Sequence, residues 1–224
     1  MSETLIKFRE AILAYNAKGA MDFATKAIEE GEDPLNIADA GIEVLKQIGD
    51  NFGRGEAWLP DLIGASNAIT NAMSVIEKEL NKRGKKRRSL GTIVIGTVYG
   101  DIHNIGKDMV ATLAAAEGFK IIDLGVDVKS EAFMRAISEH IPEILAMSAL
   151  LTTTAPEQER IIKMLKDEGF REKVKVVVGG GAITSEFATS IGADGYAPTA
   201  PMGVKLFKKM LGKGELNEQK WIYT

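Results

Sequence analysis

The sequence predicts an α/β fold in two parts, a four-helix bundle and then a doubly wound parallel sheet. Three observations predict it: helical apolar spacing throughout the amino-terminal part, regular alternation of apolar runs with helical segments after residue 91, and a basic stretch between the two.

In the first part, residues 3–15, 20–30, 34–52 and 59–81 carry the helical period, separated by Asn16, Lys18 and Gly19, by Gly31-Glu32-Asp33 and by Gly53-Arg54-Gly55. Pro34 stands as an early helical residue after Asp33, and the last helix sets Leu62, Ile63, Ile69, Met73, Ile76 and Leu80 along one stripe. Four helices with short connections imply a bundle.

In the second part, strands are expected at 92–98, 120–124, 143–147, 174–178 and 195–197, with helices at 104–117, 130–140, 156–167, 185–191 and 202–211. Such alternation calls for a parallel sheet with helices on both faces, of the flavodoxin-like, Rossmann type. The expected organisation is a helical domain over 1–84, a linker over 85–89, an α/β domain over 90–212 and a tail over 213–224.

One of only two histidines, His103, lies in the run Gly100-Asp101-Ile102-His103-Asn104-Ile105-Gly106-Lys107-Asp108, between the first strand and its helix. Loops at the carboxyl ends of strands are where open α/β sheets bind ligands. Asp101 can accept a hydrogen bond from one imidazole nitrogen and leave the other lone pair free for a metal. One imidazole does not hold a bare ion, and the chain has no cysteine and no HxxxH spacing. The chemistry that remains is a metal already chelated by an organic ring, to which the protein adds an axial ligand. Read alone, a DxH segment serves as well to cap the following helix. The other histidine, His140, precedes Pro142 at the end of a surface helix, where a capping role suffices.

Spacing further along the chain narrows the choice. After Gly106 come forty-one residues and then Ser148-Ala149-Leu150; after Leu150 come twenty-eight and then Gly179-Gly180-Gly181. DxHxxG, SxL and GG in this order and at these distances resemble the corrinoid-binding fold shared by cobalamin-dependent methionine synthase, several mutases and the corrinoid proteins of methylotrophic methyl transfer. The resemblance runs from the amino-terminal helices to about Leu211.

That resemblance implies a cobalamin or related corrinoid whose nucleotide base has left cobalt and lies as a tail inside the domain, with His103 as the lower axial ligand. The loop residues Asp101, Ile102, Asn104, Ile105 and Gly106 would face the ring. Ser148 would admit the tail and bond to it, with Leu150 beside it and Thr152 in contact with it. Gly179, Gly180 and Gly181 would let backbone approach the ligand. Taken singly, Ser148 is also a satisfied core hydroxyl and the glycine triplet an ordinary tight turn. Thr154 stands where methionine synthase has a serine that extends the histidine–aspartate pair into a relay coupling cobalt ligation to proton uptake, so His103, Asp101 and Thr154 form the expected catalytic set.

The bundle resembles the cap over the upper corrin face in the same family, through Phe52-Gly53-Arg54-Gly55-Glu56-Ala57-Trp58-Leu59-Pro60. By that resemblance Phe52, Trp58, Leu59 and Leu62 shield a methyl group on cobalt, and the linker around Gly84 is the hinge that lets the cap swing aside. For Phe52 and Leu62 the equal alternative is plain bundle core.

Composition bounds the function. A formal charge of -3 argues against a nucleic-acid surface, and the basic run 82–88 reads as a solvated linker. No signal peptide and no apolar run of spanning length are seen, so the expectation is a cytoplasmic protein with no membrane partner. At 224 residues the chain has no room for the barrel of a mutase or the substrate domains of a methionine synthase.

The implied function is that of a corrinoid protein carrying a methyl group as cobalt alternates between methyl-Co(III) and Co(I). Its implied partners are a substrate-specific methyltransferase, a second methyltransferase acting on coenzyme M or tetrahydrofolate, and a reductive activation protein. The alternative reading is a non-catalytic cobalamin sensor, such as a light-responsive regulator. A phosphoacceptor domain is disfavoured because Asp101 lacks a clustered acidic metal site.

Overall fold

The computed structural model describes residues 2–85 and 89–213. These fall into two compact units, one within Met1–Arg88 together with Ala115–Glu117, the other Ser89–Ala114 and the residues from Gly118 onward. Lys86 to Arg88 of the basic run, and the carboxyl-terminal tail from Gly214, lie outside the described residues.

The first unit is α1 (Glu3–Leu13), α2 (Ala17–Glu29), α3 (Pro34–Gly53) and α4 (Leu59–Lys82). Each of the first three starts on a capping side chain that accepts from the opening turn: Ser2 from Leu5 N, Asn16 from Gly19 N and Asp33 from Leu35 N. The cap explains one departure from expectation. Lys18 and Gly19 do not break the chain, because the Asn16 carboxamide opens α2 at Ala17 and offsets the glycine's poor propensity. Alanines line the facing sides of α2 (Ala20, Ala24, Ala27) and α4 (Ala65, Ala68, Ala72), all buried, so these two helices pack most extensively. Phe8, Ile12, Ile37, Leu45, Leu62 and Ile76 fill the centre. The expected α4 stripe holds except at Ile63, which is exposed. Lys82 and Arg83 pair with Glu79, and Lys85 with Asp33, so the described start of the basic run is already engaged with carboxylates.

The second unit is a five-stranded sheet of order β2-β1-β3-β4-β5, all parallel, from β1 (Thr92–Thr97), β2 (Lys120–Asp123), β3 (Ile144–Ser148), β4 (Lys175–Gly179) and β5 (Gly195–Tyr196). The helices are α5 (Ile105–Ala116), α6 (Ser130–His140), α7 (Pro156–Asp167), α8 (Ser185–Ile191) and α9 (Ala200–Met210). On one face Val94, Leu145, Met147, Val176 and Val178 meet Phe133 and Ile137 of α6, Ile161 and Leu165 of α7, and Ala188 and Ile191 of α8. On the other, α9 presses Leu206 against Gly195, and Gly203 of α9 lies beside Val110 of α5. With both faces covered, the central strands run continuously apolar. The last helix starts at Ala200, two residues before the expected Met202, because Pro201 fits its first turn. A 3-10 turn at Arg171–Lys173, too short for a periodic signal, precedes β4.

The register pairs Thr97 with Ser148 and Ser148 with Gly179, so β1, β3 and β4 end in line. In this strand order the chain reverses direction between β1 and β3, the switch point at which doubly wound sheets open a crevice.

Gly96 in β1 lies under the Phe133 ring: a Cβ there would sit 2.8 Å from the ring's Cζ. Gly96→Ala should therefore overpack this core and lower stability by about 1–3 kcal/mol. In urea titrations the midpoint is expected to fall at unchanged slope, and by less in a Phe133→Leu background.

Candidate functional site

Three loops leave the aligned ends of β1, β3 and β4. The first continues the β1 ladder for one step, Val98 N donating to Ser148 O at 3.0 Å, then turns at Gly100, whose φ of +79° suits glycine. The turn delivers Asp101 into the interior with no exposed surface.

Asp101 is surrounded by donors. Its Oδ1 accepts from the His103 backbone N–H at 3.0 Å and from His103 Nδ1 at 2.7 Å. Its Oδ2 accepts from Leu150 N at 2.7 Å and from Thr154 Oγ1 at 2.8 Å. Burial pushes the Asp101 pKa up, but the bonds from the His103 N–H, the Thr154 hydroxyl, the imidazole and the Leu150 N–H outweigh it and hold the carboxyl well below the ordinary value of 3.8. An ionised acceptor at Oδ1 fixes the proton of His103 on Nδ1. Among the described residues Nε2 has no hydrogen-bond partner, and the imidazole is 48% exposed.

The structure thus brings His103, Asp101 and Thr154 into one chain of hydrogen bonds, with Leu150 joined to it through its backbone. The Thr154 hydroxyl also lies 3.0 Å from Leu151 O. Ile102, Asn104, Ile105 and Gly106 stand exposed around the imidazole's loop, and Leu150 and Thr152 are exposed in the loop after β3. Ser148 is half-buried as the last residue of its strand.

The glycine triplet needs one of its members for a reason internal to the chain. Gly180 has φ +118°, and a Cβ there would fall 2.0 Å from the Ala149 carbonyl oxygen. Its missing side chain makes way for the neighbouring loop, whereas the sequence reading assigned that room to a ligand. A Cβ on Gly181 would meet Leu150 Cδ1 at 2.6 Å, while Gly179 ends β4 with its carbonyl accepting from Ala149 N.

In the helical unit, Trp58 is 76% exposed at the head of α4, where its backbone N–H donates to Asp61 Oδ2 at 2.7 Å. Phe52 and Leu59 are partly buried. Leu62 is fully buried in the bundle, so of its two expected roles the structure gives it core packing and removes it from any exposed surface.

Three side chains near the strand ends, Lys107, Asp127 and Gln158, lie outside the residues expected from the sequence. Lys107, almost wholly buried, joins Asp108 and Asp123. Asp127, at φ +54°, accepts from Gly100 N at 2.8 Å and donates its own N–H to Asp101 O at 2.9 Å. Gln158, fully buried, donates through Nε2 to Met147 O and Gly179 O across the β3–β4 seam. None carries a one-dimensional signal: a lysine in a first helical turn and a glutamine in a polar helix both read as solvated.

Comparison with known proteins identifies the architecture. Residues 91–205 match the family described as the B12 binding domain, and residues 5–77 match a second family of that description. The chain belongs to the B12-binding family. It is 40% identical over 210 residues to the trimethylamine corrinoid protein of Methanosarcina barkeri, covering 93% of this chain and 97% of that one. Among solved structures it resembles the methanol:cobalamin methyltransferase complex MtaBC of M. barkeri, with a TM-score of 0.83 and 26% identity over 94% of this chain and 80% of that one. It also resembles the monomethylamine corrinoid protein of M. barkeri, with a TM-score of 0.51 and 34% identity over 92% and 98% of the two chains.

The cofactor of this B12-binding chain is a corrinoid, and its residues fit that group. Among the described residues no cluster of three His, Cys, Asp or Glu side chains could hold a bare ion. A lone imidazole with a free nitrogen instead suits a metal whose other positions a macrocycle fills. In the loops after β1 and β3 and at the start of α5, Tyr99, Ile102, Ile105, Leu150 and Leu151 are all exposed, apolar surface of the kind a broad ring covers. Among the described residues no helix is long and apolar enough to cross a membrane.

The lowered Asp101 pKa links folding to pH. The unfolded chain binds a proton here before the native one does, so the stabilisation is complete above the ordinary carboxylate pKa and is lost as pH falls towards the native value. Asp101→Asn should abolish this share: urea stability of the wild type should drop more steeply than that of the variant below about pH 4. Parallel curves for the two proteins in that range would contradict the assignment.

Proposed function

We propose that this chain is a methyl-carrying corrinoid protein in which His103 Nε2 is the lower axial ligand of cobalt. One observation carries the reading: Nδ1 is bound 2.7 Å from a fully buried carboxylate, while among the described residues Nε2 of the half-exposed ring has no hydrogen-bond partner. That arrangement fixes the tautomer, aims the lone pair and strengthens it as a donor.

When bound, the corrinoid supplies a cobalt centre able to take and give up a methyl group. The chain's residues set the state of the lower ligand. Asp101 holds the Nδ1 proton and fixes the ring's orientation, which would leave Nε2 as the nitrogen offered to cobalt. Thr154 supports Asp101 through its hydroxyl, with Leu151 O as the alternative acceptor 3.0 Å away. Ile102, Asn104, Ile105 and Gly106 meet the ring around the imidazole. Ser148, Leu150, Thr152 and the glycines from Gly179 to Gly181 border the space for the nucleotide tail, and Trp58 with Leu59 and Phe52 contributes apolar contact to the corrinoid.

Two proteins of similar sequence or fold are named for trimethylamine and for a methanol:cobalamin methyltransferase complex, which supports a methyltransferase as the partner. We assign this chain a substrate-specific methyltransferase as donor partner, a second methyltransferase acting on coenzyme M or tetrahydrofolate as acceptor partner, and a reductive activation protein. The helical domain over 1–84, the linker over 85–89 and the corrinoid domain over 90–212 are the working parts.

The test is spectroscopic. In the chain labelled with nitrogen-15 histidine, loaded with unlabelled cobalamin and reduced to Co(II), electron paramagnetic resonance should show the two-line splitting of a labelled imidazole nitrogen in place of the three-line splitting that the cofactor's own base gives. His103→Ala should remove the two-line splitting while the chain stays folded. Two-line splitting that persists in the variant would refute the ligand assignment, and failure of any methylamine or methanol methyltransferase to methylate the loaded protein would refute the carrier role.

A further inference from the structure

Among the described residues of the α/β unit, Lys107 is the most deeply buried charged side chain besides Asp101, and none of the chemistry above uses it. Its side chain is 2% exposed, and its Nζ lies 2.6 Å from Asp108 Oδ1 and 2.5 Å from Asp123 Oδ2, both carboxylates about a third exposed. These bonds belong to a closed circuit. Asp108 Oδ2 accepts from Asn104 Nδ2 at 2.9 Å. Asp123 Oδ1 accepts from Gly125 N at 2.9 Å, and Gly125 O accepts from Thr97 N at 3.0 Å. The Thr97 hydroxyl donates to His103 O at 3.0 Å. The circuit starts at Asn104 and returns at His103, adjacent residues in the loop after β1.

Stability alone does not ask for this lysine. Replacing every member of a buried ion-pair network by packed apolar side chains is often neutral or favourable, because the charges lose their hydration, although removing one partner alone is costly. What an ammonium between two carboxylates adds is geometry: it ties the first turn of α5 to the end of β2 at fixed distances. Upstream of His103 the same loop is tied by the reciprocal Asp127 bonds to Gly100 and Asp101. The imidazole-bearing segment is therefore held from both sides by the end of β2 and the residues just after it.

We propose that Lys107, acting through Asp123, is a positioning residue that fixes the His103 loop for corrinoid ligation; the proposal rests on the reading of His103 as the cobalt ligand. Lys107→Met keeps the packed stem and removes the charge, and Asp123→Asn keeps the lysine and the shape. Should the first variant fail to fold, the second carries the test. In the cobalamin-free full chain, hydrogen exchange of the His103 amide, which donates to Asp101 Oδ1, should speed up about tenfold in each variant and no further in the double variant.

Binding of cobalamin should weaken about tenfold in parallel, with a reduced share of the Co(II) signal showing imidazole nitrogen. A lysine that only supports the fold would lower the melting temperature and leave the His103 amide and cobalamin affinity unchanged, and that result overturns the proposal. Faster exchange with undiminished affinity overturns its link to the cofactor. Absence of imidazole nitrogen in the wild-type signal would instead sink the ligand reading itself, and this proposal with it.

Discussion

A carboxylate with no exposed surface must find its hydration among protein donors, and this requirement at Asp101 shapes the whole carboxyl edge of the sheet. Four donors converge on it, two from its own loop and two from the loop after β3. The carboxylate therefore fastens two loops that leave adjacent strands. It also sets which imidazole nitrogen is protonated, and so which one can face outward. A single buried charge decides the loop geometry, the tautomer of His103 and the acid sensitivity of the fold together.

The elements themselves were legible because their signals are local. Five apolar runs between helical segments dictate a parallel sheet, and three of the helices in the α/β unit begin and end where the period does: α6, α7 and α8. Boundaries moved where a side chain overrode propensity, as Asn16 does at the head of α2 and Pro201 in the first turn of α9. His103, Asp101 and Thr154 were legible as a set through the resemblance, and the structure places them within hydrogen-bond distance in the expected order.

What the sequence hid depends on contacts between distant segments. Lys107 and Gln158 look like surface residues because type and period suggest solvent, yet each is buried by a partner strand. Gly180 read as making room for a ligand, whereas the backbone of Ala149, thirty-one positions away in the chain, already demands it. Leu62 lies on the apolar stripe of α4, where cap and core read equally from the sequence, and the packing of the bundle decides for core.

At this edge of the sheet the usual division of side chains is inverted. Asp101, Lys107, Thr154 and Gln158 are buried, while Tyr99, Ile102, Ile105, Leu150 and Leu151 stand exposed. Polar groups are turned inward because they hold the loops, and the apolar ones are left with water as their neighbour. Loops pinned by charged hydrogen bonds cannot fold this apolar surface away, so its hydration persists until something flat and largely apolar covers it. A ligand that binds only the folded chain raises its stability by an amount set by the ligand's concentration relative to its dissociation constant. Under the proposed ligation, the same bonds that fix the imidazole's direction would keep the surrounding surface open for the corrinoid, giving orientation and affinity one structural source.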